Sequence, residues 1–229
     1  MPSAIRPSSL DHVALWVDER RPMAAFLCDH LGMHVIEETD SFTLVGVDAK
    51  LGKLTVFDAE GPRQRGSLER IGLRVGNVAA AVSGLPQTAG ARQEDGTALL
   101  EAPNGVPIML LERGGTDFDL DHVVLRLPDR DGALSELEEM GFERLDGALR
   151  VADRELRIVE GEPDDGHHPL LNHIALLVDS AHDVQREAER RGVEIDDVKD
   201  APNTFAGFLR GPAGLRIEYV EHKPGFSLV

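Results

Sequence analysis

Leu171-Asn172-His173-Ile174-Ala175-Leu176 is the stretch that decides the fold, because the chain repeats it with small changes three more times. The other versions are Leu10-Asp11-His12-Val13-Ala14-Leu15, Leu68-Glu69-Arg70-Ile71-Gly72-Leu73 and Leu120-Asp121-His122-Val123-Val124-Leu125. Their third positions follow one another at intervals of 58, 52 and 51 residues. A nearly fixed period of this size indicates one structural unit that is used four times. We therefore expect four similar modules, numbered one to four along the chain.

The composition is that of a folded globular protein and excludes some partners. The 229 residues are 41% hydrophobic and carry a formal net charge of −17. That charge argues against nucleic acid or an anionic membrane surface as a partner. The single cysteine, Cys28, rules out an internal disulfide and is compatible with a reducing compartment. The sequence has no apolar leader and no long apolar run, so we expect a cytoplasmic protein.

Each module has the same expected order of elements. In module one the apolar run Val13 to Val17 predicts a buried strand, and a helical pattern follows Asp18 and ends near Gly32. Three short strands then complete the module. Module four has the clearest helix, Ala181 to Arg191, which Gly192 ends. The pattern predicts an α+β protein of four βαβββ modules, whose curved mixed sheets surround a cavity.

Four such modules, together with Gly214-Leu215-Arg216-Ile217-Glu218-Tyr219 near the end of the last one, resemble the vicinal oxygen chelate superfamily. This superfamily includes glyoxalases, bleomycin-resistance proteins and extradiol dioxygenases. The resemblance covers roughly residues 9 to 222, and the layout is most similar to the type I extradiol dioxygenases. It implies two tandem glyoxalase-like domains, residues 1–114 with modules one and two and residues 115–229 with modules three and four. Arg113 to Thr116 is the expected linker.

The resemblance also implies where a metal ion is bound, since ligands in this superfamily lie on the first and last strands of a module. Module four has both, as His173 and Glu218, and module three has His122 on its first strand. Module three has Val159 at the place that we align with Glu218, and module two has Arg70 and Met109 at the two ligand places. The expected ligands are therefore His122, His173 and Glu218, all in residues 115–229. The alternative set is His12, His173 and Glu218, as in relatives that pair module one with module four.

Two histidines and one carboxylate suit Fe(II), with Mn(II) as an alternative. Zn, Ni or Co would instead indicate chemistry without a change of redox state. The resemblance further implies a loop histidine that handles protons. Arg126 has the same strand parity as His122, and Arg216 the same as Glu218, so both can contact an anionic substrate. The expected proton-handling residues are His167, His168 and Asn203. The expected substrate contacts are Phe205, Phe208, Arg126 and Arg216.

The function that these features predict is extradiol cleavage of a catechol-like aromatic by O2. The expected partners are a small aromatic or oxygen-chelating substrate and O2, with a homodimer or a higher homo-oligomer as the family-level assembly. Phe208 stands where the family's signature has a tyrosine, which counts against ring cleavage. Two alternatives therefore stay open: a non-redox metal-dependent lyase, isomerase or epimerase, and a non-catalytic protein that binds a small molecule.

Overall fold

The computed structural model of this chain describes residues 5–50, 52–164 and 168–228. It contains four α-helices, which are α1 (Arg20–His30), α2 (Val78–Ser83), α3 (Arg130–Glu139) and α4 (Ala181–Arg191). The strands of modules one and two are β1 (Ser9–Val17), β2 (His34–Glu38), β3 (Phe42–Gly46), β4 (Lys53–Asp58), β5 (Leu68–Val75), β6 (Arg92–Glu94), β7 (Thr97–Ala102) and β8 (Val106–Glu112). Those of modules three and four are β9 (Leu120–Leu127), β10 (Glu143–Leu145), β11 (Ala148–Val151), β12 (Arg154–Glu160), β13 (Leu171–Leu177), β14 (Ile195–Asp200), β15 (Thr204–Arg210) and β16 (Arg216–His222). The expected βαβββ order is therefore present in all four modules.

The strands form two eight-stranded mixed sheets, which confirms the α+β fold of glyoxalase-like modules. The first sheet, in the order β14-β15-β16-β13-β1-β4-β3-β2, combines module four with module one. The second sheet, in the order β10-β11-β12-β9-β5-β8-β7-β6, combines module three with module two. The sequence led us to expect a division into residues 1–114 and 115–229. Each sheet instead takes half of its strands from either side of that boundary.

The pairing of the sheets follows one rule. In every module the last strand is parallel to the first, as β16 is to β13, because a helix crosses over between them. Two modules then join through their first strands, which are antiparallel: β1 with β13, and β5 with β9. The four central strands of each sheet are therefore the first and last strands of two modules. The two first strands carry the repeated motif.

Alternation along these strands divides their side chains between two faces. One face packs against the helices and forms the main hydrophobic core, with members such as Val13, Leu15, Ile174 and Ile217 that are fully buried. The residues between them, which include the third position of the repeated motif, lie on the opposite face. The opposite face of each sheet is therefore where polar side chains of the motif meet.

Beta-bulges interrupt this alternation next to each of those third positions. In the β1–β13 pair the register shifts at Asp11 and again at Asn172, and in the β5–β9 pair it shifts at Glu69 and at Asp121. Each is the residue immediately before the third position of its motif. A bulge adds one unpaired residue and changes the direction of its side chain. The second and third residues of the motif can therefore contact each other, although regular alternation would separate them.

No helix in the described part of the chain is long and apolar enough to cross a membrane.

Candidate metal centre

Three potential metal ligands from different strands converge on the first sheet. They are His12 on β1, His173 on β13 and Glu218 on β16. The Nε2 atom of His173 lies 2.8 Å from Oε2 of Glu218, and the Nε2 atom of His12 lies 3.2 Å from the same oxygen. The two Nε2 atoms are themselves 3.2 Å apart. Three donor atoms thus point at one position, and all three lie within 4.8 Å of one another.

The strand register explains this convergence. Ala175 lies opposite His12 on one side and opposite Glu218 on the other, so all three belong to one row across the sheet. His173 lies opposite Ala14 on the neighbouring strand. Because both of these central residues are alanines, the longer side chains around them can close over the sheet. The small residue at the fifth position of the motif therefore leaves room for the three side chains to meet.

Each histidine is oriented by the residue before it. The carboxylate of Asp11 accepts a hydrogen bond from Nδ1 of His12 at 2.8 Å, and the side-chain oxygen of Asn172 accepts one from Nδ1 of His173 at 2.9 Å. The bulges at Asp11 and Asn172 make these neighbour contacts possible. Asp11 is held in turn by Lys53, whose Nζ lies 2.8 Å from Oδ1. Such outer contacts fix the tautomer of a ligand histidine and leave Nε2 with its lone pair toward the metal.

The donor set fits a divalent cation. With both Nδ1 atoms donating, two Nε2 atoms and a carboxylate oxygen meet in a buried place that favours positive charge. Burial disfavours the charged form of His12, but Asp11 and Glu218 outweigh burial and raise its pKa to about 9. A divalent transition metal can take the place of that proton, since two imidazoles with one carboxylate are a common ligand set for such ions. Burial opposes ionisation of Glu218, but its contacts with His173 and His12 outweigh burial and hold the pKa of Glu218 well below its usual range. Burial lowers the pKa of His173, which favours the neutral form that binds a metal.

A cavity of about 470 Å³ opens onto these three residues. One part of its wall is apolar and largely aromatic, and consists of Phe42, Leu44, Phe57, Phe208, Val220 and Phe226. Another part is polar, with Lys53, Asn203, Thr204 and His222. The ring of Phe208 meets the ring of His173 edge to face, with centroids 5.2 Å apart. The cavity can therefore hold a small, partly apolar molecule against the three donors.

His122, which the sequence led us to expect as a ligand, lies on the second sheet. It is opposite Gly72 on β5 and Glu155 on β12, and neither of these strands belongs to the first sheet. The structure thus brings together the alternative set, with His12 in the place of His122. The reason is the pairing of module one with module four, which makes β1 the neighbour of β13.

The register also corrects one alignment between modules. Glu218 lies opposite the residue two places after His173, and the residue at the same place in module three is Arg157 rather than Val159. In module one the corresponding residue is Thr55, which is buried and has no carboxylate. In module two it is Met109, as the sequence predicted. On the first sheet, the two first strands and the two last strands thus offer four places. Three of them hold a donor and the fourth holds Thr55.

The other expected site residues divide into two groups. Asn203, Phe208 and Arg216 line the cavity, and the guanidinium of Arg216 lies 3.9 Å from the centre of the Phe208 ring. Phe205 stacks on His182 of α4 and packs on the main core, so it is on the helix side of β15. Arg126 lies on the second sheet, where its Nε donates to Glu69 at 2.5 Å.

One of the two expected acid–base histidines lies away from the site. His168 is exposed and contacts Arg63, away from the residues that line the cavity. His167 lies outside the described residues. Sequence reasoning missed Lys53 and His222, which both contact Asp11 and both line the cavity. Parity along β16 could have identified His222, because it is four residues after Glu218 and thus on the same face.

Comparisons with known proteins agree with this architecture. Residues 9–219 match the family model described as Glyoxalase/Bleomycin resistance protein/Dioxygenase superfamily. A Bacillus subtilis strain 168 structure described as a candidate dioxygenase has a TM-score of 0.77 at 19% identity, over 97% of this chain and 88% of that one. Glyoxalase I from Zea mays has a TM-score of 0.75 at 16% identity, over 93% and 92% of the two chains. The cppA protein from Streptococcus pneumoniae TIGR4 has a TM-score of 0.66 at 17% identity, over 95% and 99%. No curated protein sequence matches this chain.

Proposed function

This chain belongs to the Glyoxalase/Bleomycin resistance protein/Dioxygenase superfamily, and on that basis we propose that it is a divalent-metal-dependent enzyme that cleaves a catechol-like aromatic with O2. The observation that carries the proposal is the convergence of His12, His173 and Glu218, with Thr55 at the fourth place. Three protein ligands leave neighbouring coordination positions open. A second carboxylate at the place of Thr55 would add a fourth protein ligand and leave fewer coordination positions open.

The ion bound there would supply Lewis acidity and, if it is Fe(II) or Mn(II), a redox couple that can react with O2. The protein supplies the rest. His12 and His173 present Nε2 because Asp11 and Asn172 occupy their other nitrogens. Buried Glu218 contributes negative charge, which stabilises a divalent cation. These are the features that hold and orient an ion at a fixed position.

The cavity wall gives the reason for an aromatic substrate. Phe42, Phe57 and Phe208 line it, and aromatic rings favour edge-to-face or offset contacts with another ring. His222 lies on the same wall, with its Nε2 3.6 Å from Oδ2 of Asp11. Its imidazole can accept a proton from a substrate hydroxyl, and histidine is the side chain that most often serves as a general base in enzymes. In this proposal His222 takes the role that the sequence assigned to His167 and His168.

One observation favours a second candidate, a non-redox lyase, isomerase or epimerase. Phe208 packs on a proposed ligand, His173, at the place where the signature of ring-cleaving enzymes has a tyrosine. It has no hydroxyl with which to orient a substrate oxygen or to donate a proton. A reaction that needs only chelation and one base, such as enediolate formation, does not need that hydroxyl.

Metal analysis with two matched variants tests the ligand set. Protein purified without chelators should contain about one equivalent of metal per chain, and so should His122→Ala, whereas His12→Ala and Glu218→Ala should contain none. Circular dichroism of each variant verifies that it is folded. If His122→Ala loses the metal and His12→Ala keeps it, the proposed site is wrong.

Oxygen uptake separates the two reactions. Protein reconstituted with Fe(II) or Mn(II) under argon is mixed with a panel of catechols, and O2 consumption is then recorded together with the absorbance of ring-cleaved products. Consumption that disappears in Glu218→Ala supports the dioxygenase. Turnover of oxygen-chelating substrates without O2, in protein loaded with Zn, Ni or Co, supports the second candidate. A wild type that binds no metal even after reconstitution contradicts both.

A further inference from the structure

The second sheet has its own version of the face that carries the metal centre, with different chemistry. Its four corresponding places are occupied by Arg70, Met109, His122 and Arg157, where the first sheet has His12, Thr55, His173 and Glu218. Two arginines thus replace one histidine and the carboxylate. This face cannot bind a cation in the way the first one does. It nevertheless differs from an ordinary solvent-exposed surface, because several of its polar atoms are buried.

Positive charge predominates around these places. Arg157 and Arg150 both bind Glu155, at 2.7 and 2.8 Å, and Arg126 binds Glu69 at 2.5 Å. Together with Arg70, four arginines share two glutamates. Arg70 is desolvated beside Arg157, and both effects lower its pKa. An excess of charge of this sign favours an anion, and the planar guanidinium groups bind carboxylate or phosphate oxygens with two parallel hydrogen bonds.

Several donors and acceptors on this face have no partner. Among the described residues, Nε of Arg70, Nε of Arg150 and Nε2 of His122 are buried and form no hydrogen bond. Buried polar atoms without partners cost free energy, and most buried polar atoms in folded proteins have partners. Three of the six such atoms among the described residues lie on this one face, where a polar ligand would supply partners for them.

His122 is the best placed of the three. It is 1% exposed, and a Cβ atom on Gly72 would lie 2.3 Å from its ring, so the ring lies directly on the strand beneath. Nδ1 donates to Asp121 at 2.8 Å, and this carboxylate also binds Arg74 and Arg113. This tautomer leaves Nε2 as an acceptor. Arg70 is two residues before Gly72 and therefore on the same face.

We propose that Arg70, Arg157 and His122 form a binding site for a small hydroxylated anion. The two guanidinium groups bind a carboxylate or phosphate, and a hydroxyl of the ligand donates to Nε2 of His122. Met109 and the half-exposed Leu99, which is opposite it on β7, offer apolar contact to the rest of the ligand. The site is on the other sheet from the candidate metal centre and does not depend on it.

Calorimetric titration of EDTA-treated protein at constant ionic strength tests the site, with lactate, propionate and inorganic phosphate as probes. Lactate and propionate differ only in the hydroxyl, so lactate should bind more tightly to the wild type. Arg70→Met and Arg157→Met should each weaken binding about ten- to a hundredfold, as expected for one lost charge-assisted contact. Arg186→Met, at an exposed position of helix α4 and away from this face, is the matched control and should bind like the wild type.

His122→Phe should remove the preference for lactate over propionate while it leaves propionate binding in place. Glu218→Ala should bind all probes normally, which separates this site from the metal centre. Phosphate binding that Arg70→Met and Arg157→Met both abolish, without lactate binding, would assign the site to phosphate esters and still support it. The inference is overturned if none of the three probes binds saturably, or if binding survives in both arginine variants while circular dichroism shows that they are folded.

Discussion

The stability of the metal-free protein should fall as the pH rises from about 7 to about 9, and His12 should cause most of the fall. Burial disfavours its charged form, but the carboxylates of Asp11 and Glu218 outweigh burial and raise the pKa of His12 from 6.5 to about 9. A group whose pKa is higher in the folded state stabilises the fold fully below its unfolded pKa, and this contribution is lost as the pH passes its folded pKa. The difference of 2.5 pH units between 9 and 6.5 corresponds to about 3 kcal/mol, of which about 2 kcal/mol is lost between pH 7 and pH 9.

Urea denaturation of EDTA-treated protein at several pH values measures this effect. Burial also raises the pKa of the Cys28 thiol, so the measurement is made in a Cys28→Ser background. His12→Gln should flatten the profile over this range, whereas Thr55→Val, a change on the same face that removes no titrating group, should keep the slope. A saturating divalent metal should flatten it as well, because the ion replaces the proton. If His12→Gln loses as much stability with rising pH as its parent, the charged imidazole is not what the carboxylates stabilise.

Further changes test contacts inside and outside the centre. Asn172→Ala should weaken metal binding about ten- to a hundredfold, the scale for residues that orient a ligand histidine; an unchanged Kd in a metal titration would show that His173 does not need it. Tyr219→Phe should lower the free energy of unfolding by about 1 kcal/mol, because its buried hydroxyl donates to a backbone carbonyl at 2.7 Å. Urea denaturation measures that loss, and metal affinity should stay the same. Gly72→Ala should cost about 1–3 kcal/mol, since the new Cβ would lie 2.3 Å from the ring of His122; a variant as stable as the wild type would mean that the ring can move.

The elements and their repetition could be predicted from the sequence because the signals are local. The repeated hexapeptide, the apolar runs and helix ends such as Gly192, which has a φ of 72°, are all properties of neighbouring residues. They predicted the four modules, and the family they resemble was confirmed by the match over residues 9–219. Two of the three residues in the centre, His173 and Glu218, lie in one module and were identified together.

The partner of that module could not be predicted in the same way. Hydrophobic patterns determine which face of a strand is buried, but they do not determine which other strand lies at its edge. His12 and His122 occur in almost identical motifs, Leu-Asp-His-Val in both, so only the pairing of β1 with β13 distinguishes them. The bulges could not be predicted from the sequence either, since regular alternation places Asp11 and His12 on opposite faces.

The sequence alone contains enough information to place Phe205 and Phe208 on different faces of their strand. Phe205 and Phe208 are three residues apart in one strand, so alternation does not allow both to face the same cavity. The structure places Phe208 at the cavity and Phe205 against α4. Parity is reliable here because β15 pairs with β16 without a register shift.

The crosswise pairing of modules has a consequence for the order in which this protein can be made. Modules two and three are neighbours in sequence, so the second sheet can form while the ribosome is still adding module four. The first sheet must wait, because the contact between His12 and His173 spans 161 residues and β1 has no partner strand from module four until β13 emerges. Contacts of such large sequence separation form slowly, and unpaired strand edges promote aggregation in the meantime. A metal ion that binds His12, His173 and Glu218 would therefore bind last, and its binding would report that module four has paired with module one.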